Sequence, residues 1–134
     1  MAKILVIDDE PTMLSYLTRI LKMLNHEVVT ADNSAAGCEK AADPGLQVII
    51  SDLSMPGELS DLALIRRLRE IQPDCPIVVV SGYPTAGRLE ECQKLGVRDF
   101  LTKPFELTFV SAVLKRLLEG GAEKKEPDGT ETRE

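Results

Sequence analysis

Short β-branched and aliphatic runs alternate with longer stretches of helical period along this chain, and that alternation admits few folds. Lys3–Ile7 is a near-continuous apolar run, the pattern of a strand covered on both faces. Pro11 follows where the first turn of a helix tolerates it. Met13, Leu17, Ile20, Leu21 and Leu24 then recur at three- and four-residue spacing, the stripe of an amphipathic helix. Asn25 can end that helix in the left-handed conformation. Val28–Thr30 reads as a second strand, and Asn33 or Ser34 caps a short helix through Ala42, closed by Asp43-Pro44-Gly45. Val48–Leu53 is the third strand. A loop with Pro56 and Gly57 leads to a helix on Leu62, Ile65 and Leu68, and Pro73 and Pro76 bracket the turn into a fourth strand, Ile77–Ser81. A helix from about Ala86 to Leu95 ends at Gly96. Val97–Leu101 reads as a fifth strand, and Leu107, Val110, Val113, Leu114 and Leu117 mark a final helix.

Strands alternating with helices predict one βα-wound parallel sheet with helices on both faces, an α/β fold. The 134 residues fit one domain. From Glu119 onward almost nothing is apolar, so 1–118 reads as the folded unit and 119–134 as a disordered charged tail. A net charge of −6 argues against general nucleic-acid binding, which needs a basic face. Arg66, Arg67 and Arg69 form a local basic cluster, read here as the solvated side of an amphipathic helix. Cys38, Cys75 and Cys92 make no C-x-x-C pair and read as small core residues in a reducing compartment. The N-terminal apolar run is too short for a signal peptide and nothing approaches a membrane span, so a cytoplasmic protein is expected.

In open α/β sheets, sites form outside the carboxyl ends of the strands, and the chemically informative residues fall there. Asp8, Asp9 and Glu10 follow the first strand, Asp52 closes the third, Ser81 ends the fourth, and Lys103 lies two residues past the fifth. Carboxylates about 4 Å apart repel by roughly 1 to 4 kcal/mol, a cost that a divalent ion removes. A hard-oxygen site with few protein ligands suits Mg²⁺, and Mg²⁺ suits phosphoryl transfer. A carboxylate can serve as nucleophile, giving an aspartyl-phosphate, while the lysine and the hydroxyl contact phosphoryl oxygens. Taken singly, each residue has a plainer reading. The Asp8–Glu10 triplet could be first-turn acids favoured by the helix dipole, Ser81 turn chemistry before Gly82, and Lys103 a solvated loop residue. Their conjunction at strand ends is what points to one site.

The stretches Ile4–Glu10, Ser51-Asp52-Leu53-Ser54-Met55-Pro56, Val79-Val80-Ser81-Gly82-Tyr83 and Phe100-Leu101-Thr102-Lys103-Pro104-Phe105 together resemble the receiver domains of two-component response regulators, over Lys3 to about Leu118. The resemblance implies a flavodoxin-like sheet of order 2-1-3-4-5 and a switch phosphorylated on Asp52 by a histidine kinase or a histidine phosphotransfer protein. Asp8, Asp9, Asp52 and the main-chain carbonyl of Ser54 would hold Mg²⁺. Ser81 and Lys103 would contact the phosphoryl group, Phe100 would change burial as Ser81 moves, and the Lys103–Pro104 bond would be cis. The chain would act on itself alone, through phosphorylation and autodephosphorylation, and would not be an enzyme toward other substrates. Output would pass through the face of the fourth helix, fifth strand and fifth helix to a downstream protein, without direct DNA or membrane contact. Whether phosphorylation also drives a homodimer there is left open.

The sequence departs from the family pattern in Gly57-Glu58-Leu59-Ser60-Asp61, one residue longer than usual and with Asp61 where glycine is common. Phe100 also stands where tyrosine is frequent. His26, the only histidine, is expected at the surface and not in a relay. Two alternatives are weighed. A phosphorylation-independent scaffold is disfavoured by the complete set of Asp9, Asp52, Ser81 and Lys103. A haloacid-dehalogenase-type phosphohydrolase would need D-x-D after the first strand, where this chain has Asp8-Asp9-Glu10.

Overall fold

The computed structural model describes residues 2–53, 61–82, 85–103 and 105–118. Strands and helices alternate as β1 (Lys3–Ile7), α1 (Pro11–Met23), β2 (Glu27–Ala31), α2 (Ser34–Ala41), β3 (Val48–Asp52), α3 (Asp61–Ile71), β4 (Ile77–Ser81), α4 (Ala86–Lys94), β5 (Asp99–Thr102) and α5 (Leu107–Leu118). The strands form one parallel sheet in the expected order, β2-β1-β3-β4-β5.

The period-two alternation of strand side chains sorts the helices into two layers. Ile4, Val6, Val48, Ile50, Val78, Val80 and Leu101 pack against Leu17, Ile20 and Leu21 of α1 and against Val110, Val113, Leu114 and Leu117 of α5. The intervening Leu5, Ile7, Ile49, Ile77 and Val79 meet Ala41 of α2, Leu64, Ile65 and Leu68 of α3 and Cys92 of α4. Both faces of the central strands are covered, which is why β1, β3 and β4 read as nearly unbroken apolar runs. Each fully buried Leu or Ile contributes roughly 1.5–3 kcal/mol.

Local chemistry sets the element ends. Asn25 ends α1 with a φ of 69°, as its residue type allows. The Asn33 side chain accepts from the Ala36 amide at 2.8 Å and caps α2. Thr85 caps α4 through the Arg88 amide at 3.2 Å. α2 lies close on the sheet because Gly37 has no side chain. A Cβ there would stand 2.8 Å from Ile7 Cδ1, and Ile7 is fully buried. Gly37→Ala is therefore expected to cost about 1–2 kcal/mol by overpacking, even though alanine is the better helix former. Urea unfolding of the two proteins gives the sign.

Three readings need correction. β5 runs from Asp99 to Thr102, not from Val97 to Leu101, so Lys103 follows the strand directly. Val97 is buried but belongs to the turn, its amide bonded to the Cys92 carbonyl at 3.1 Å. Arg66 and Arg67 are solvated as expected, whereas Arg69 is half-buried. Its guanidinium donates to the carbonyls of Leu95, Gln72, Pro73, Cys75 and Gly96 at 2.9–3.3 Å. It ties the end of α3 to the turn before β4 and to the turn after α4. His26 is half-buried too, because its Nδ1 accepts the Ala2 amide at 3.0 Å. Cys75 and Cys92 are buried and Cys38 is half-buried. Among the described residues no helix is long and apolar enough to cross a membrane. The 119–134 tail and most of the 57–61 loop lie outside the described residues.

Candidate functional site

The carboxyl ends of β1, β3, β4 and β5 bring the expected side chains to one end of the sheet. The Asp8 amide extends the β1–β2 ladder by donating to the Ala31 carbonyl at 3.0 Å, which carries its carboxylate into the interior, 1% exposed. Oδ1 accepts the Glu10 amide at 2.9 Å. Oδ2 is buried and has no hydrogen-bond partner among the described residues. Asp9 is exposed, and Glu10 is the extended residue preceding Pro11 at the head of α1. Asp52 ends β3 only 6% exposed, with the next amide, Leu53, held by the Val80 carbonyl at 3.0 Å. One oxygen from each of Asp8, Asp9 and Asp52 can be chosen so that all lie within 4.8 Å of one another.

Lys103 supplies the counter-charge. Its amide donates to the Ser81 carbonyl at 2.9 Å, which fixes the root of the side chain. The Nζ atom stands 3.5 Å from Asp52 Oδ2, 3.7 Å from Asp8 Oδ2 and 3.8 Å from Glu10 Oε1. These separations exceed the usual 2.7–3.2 Å of an N–H···O bond, so the ammonium is shared among carboxylates and docked on none. Burial works against its charge, but Asp52, Asp8 and Glu10 outweigh that and hold its pKa above the ordinary lysine value.

Asp8 shows the opposite balance. Burial first, then repulsion from Asp52 and Asp9, pushes its carboxyl from 3.8 up to about 6, against the Glu10 amide and Lys103. A buried oxygen lacking a donor, among carboxylates that destabilise each other's charge, is the donor set a hard divalent cation completes. The residues therefore fit such an ion.

Ser81 ends β4 half-buried and pairs in register with Thr102. Phe100 lies half-buried on β5 opposite Val79, packed against the layer of α2, α3 and α4. Beside it a groove of about 610 Å³ opens between β5 and α5, bounded by Phe100, Phe105, Phe109 and Val113. Phe109 is 60% exposed, and Arg116 of α5 pairs with Asp99 across the groove's rim.

Asp8, Asp9, Asp52 and Lys103 thus converge, with Ser81 on the neighbouring strand end. The Ser54 carbonyl, Tyr83 and the bond to Pro104 involve residues outside those described. Sequence reasoning had not assigned Glu10 a site role, although its place beside Asp9 was the available signal. It also passed over Tyr16 of α1, whose hydroxyl donates to the Phe105 carbonyl at 2.9 Å.

A family model described as a response regulator receiver domain matches residues 4–115. The chain is 37% identical over 87% of its length to the DNA-binding transcriptional regulator NtrC of Azospirillum brasilense, of which it spans 24%. It spans about a quarter of FleR of Pseudomonas aeruginosa as well, at 29% identity. Among solved structures, a response regulator receiver domain protein from Clostridium thermocellum superposes with a TM-score of 0.84 at 28% identity, covering 91% of this chain and 98% of that one. The chemotaxis protein CheY4 of Vibrio cholerae gives 0.81 at 26% identity, covering 87% and 98%.

Proposed function

The chain belongs to the response regulator receiver family, and on that premise we propose that it is a phosphorylatable signalling switch whose phosphoacceptor is Asp52. The observation that carries this reading is the placement of the Asp52 carboxylate, recessed at a strand end with two acids and one shared ammonium around it. In the reaction, an Asp52 carboxylate oxygen attacks the phosphorus of a phosphohistidine. The new O–P bond forms as the N–P bond breaks, and the imidazole nitrogen leaves with the electron pair. The product is an acyl phosphate, later cleaved by water to inorganic phosphate and the free carboxylate.

Each side chain has a part in that cycle. Asp8, Asp9, Asp52 and the Ser54 carbonyl are the proposed Mg²⁺ ligands, and the bound ion would supply the positive charge that lets a dianionic group approach the acids. Lys103 follows the charge as it moves from the carboxylate to the phosphoryl oxygens. Ser81, one strand over, donates its hydroxyl to the same group, and Phe100 on the adjacent strand responds in its burial. The donor is a sensor histidine kinase or a histidine phosphotransfer protein. The output is a downstream protein bound on the α4–β5–α5 face, with a homodimer as a second form of output. The switch unit is residues 1–118, it acts in the cytoplasm, and it turns over no substrate besides its own phosphoryl group. The chain spans only part of its curated relatives, so these partners belong to the proposal.

Incubation with Mg²⁺ and acetyl phosphate, read by intact mass, tests it. A single phosphoryl adduct is expected in the native chain and none in Asp52→Asn. No adduct under any condition would sink the switch and leave a scaffold. Turnover of unrelated phosphomonoesters would instead indicate a hydrolase.

A further inference from the structure

The two halves of the site come from strands that do not touch. The acids Asp8, Asp9 and Glu10 follow β1, whereas Lys103 follows β5, with β3 and β4 between them. The sheet fixes the root of Lys103 through its amide bond to Ser81. The long stem beyond is flexible, and among the described residues the ion pairs of its ammonium are 3.5–3.8 Å long. Among the described residues no tight ion pair locates that charge, so its position depends on how firmly the segment around Lys103 is held.

A direct tie between the halves exists outside the sheet. Tyr16 lies on α1, six residues beyond Glu10 and so about 9 Å along the helix axis. Its hydroxyl donates to the carbonyl of Phe105 at 2.9 Å. Its ring tilts against the Phe105 ring with centroids 5.8 Å apart. Phe105, two residues after Lys103, is 6% exposed in the layer shared by α1 and α5. One helix thus bears the acids at its head and grips the chain just past the lysine. A phenylalanine at position 16 would fill the same apolar space, leaving the Phe105 carbonyl as the hydroxyl's distinct function.

We infer that Tyr16 is a positioning residue of the phosphoryl site, holding the Lys103 segment in register with the acid turn through its bond to the Phe105 carbonyl. The inference rests on the reading of Asp52 as phosphoacceptor. Tyr16→Phe deletes only the hydroxyl. In the full-length chain it is expected to slow acetyl phosphate labelling of Asp52 roughly fivefold and to weaken binding of beryllofluoride, a phosphoryl mimic, by a similar factor. Affinity for Mg²⁺ alone, which depends on the acids, is expected to stay unchanged. In a Lys103→Ala background the added Tyr16→Phe change is expected to alter beryllofluoride affinity no further, because the group it positions is gone.

An equal loss in both backgrounds, or a parallel loss of Mg²⁺ affinity, would mean that Tyr16 merely supports the fold. Native labelling and beryllofluoride affinity left untouched by Tyr16→Phe would overturn the inference while sparing the phosphoacceptor reading. A native chain that takes no phosphoryl group at Asp52 would overturn both.

Discussion

Asp8→Asn is expected to stabilise the protein in metal-free buffer near neutral pH, by on the order of 1–3 kcal/mol, while greatly reducing its stabilisation by Mg²⁺. The native carboxyl is held at about 6, above its ordinary 3.8, because it is buried first and repelled by Asp52 and Asp9 second. A carboxyl with a raised native pKa binds a proton more readily folded than unfolded. Its contribution to stability therefore falls as pH rises from about 4, and above about 6 the whole penalty is present. An asparagine carries no charge to desolvate, and its side-chain oxygen can still accept the Glu10 amide that Asp8 Oδ1 now accepts. Urea unfolding of both proteins with EDTA, repeated from about pH 4 to about pH 8, should show the advantage of the variant growing with pH. With saturating Mg²⁺ the order is expected to reverse, because the native acids then gain a ligand and the variant has lost a charged donor. A variant less stable than the native protein at neutral pH without metal would mean that Asp8 is not strained.

Arg69→Ala carries the other large effect, a loss of roughly 3 kcal/mol. The guanidinium is the common donor for carbonyls at the end of α3, in the turn before β4 and in the turn after α4. Removing it leaves those carbonyls to a cavity or to water. It also frees the turn at Gly96, whose φ of 83° already places the backbone where side chains rarely go. Arg69→Lys is expected to recover little, since one ammonium cannot span a fork of acceptors. Arg66→Ala, on the solvated face of the same helix, should change stability by less than about 0.5 kcal/mol. Equal effects at both positions in thermal unfolding would refute the distinction.

What could be read in the residues, and what could not, follows from which partners a sequence displays. Apolar runs covered on both faces announced the parallel sheet, and the acids stood out because charge at the end of a buried strand needs a partner. The extent of β5 was misjudged because an edge strand mixes buried and solvated positions, so that Asp99 and Thr102 belong to it while the buried Val97 does not. The roles of Arg69 and Tyr16 were hidden for a different reason. Both donate to backbone carbonyls, and a carbonyl leaves no mark in the residue alphabet. Solvation of the Arg66–Arg69 cluster was thus a fair reading for two of its arginines and wrong for the third.

The position of β5 at the sheet's margin has a mechanical consequence. An interior strand is clamped by two ladders, but among the described strands β5 has a single neighbour, β4. Its end is therefore restrained by one strand ladder, where the ends of β1, β3 and β4 are restrained by two. Lys103 sits at that end and Phe100 three residues back. In the proposed switch, the residue that meets the phosphoryl group and the one that changes burial would therefore ride on the same marginal segment, each tied to the rest of the sheet through β4.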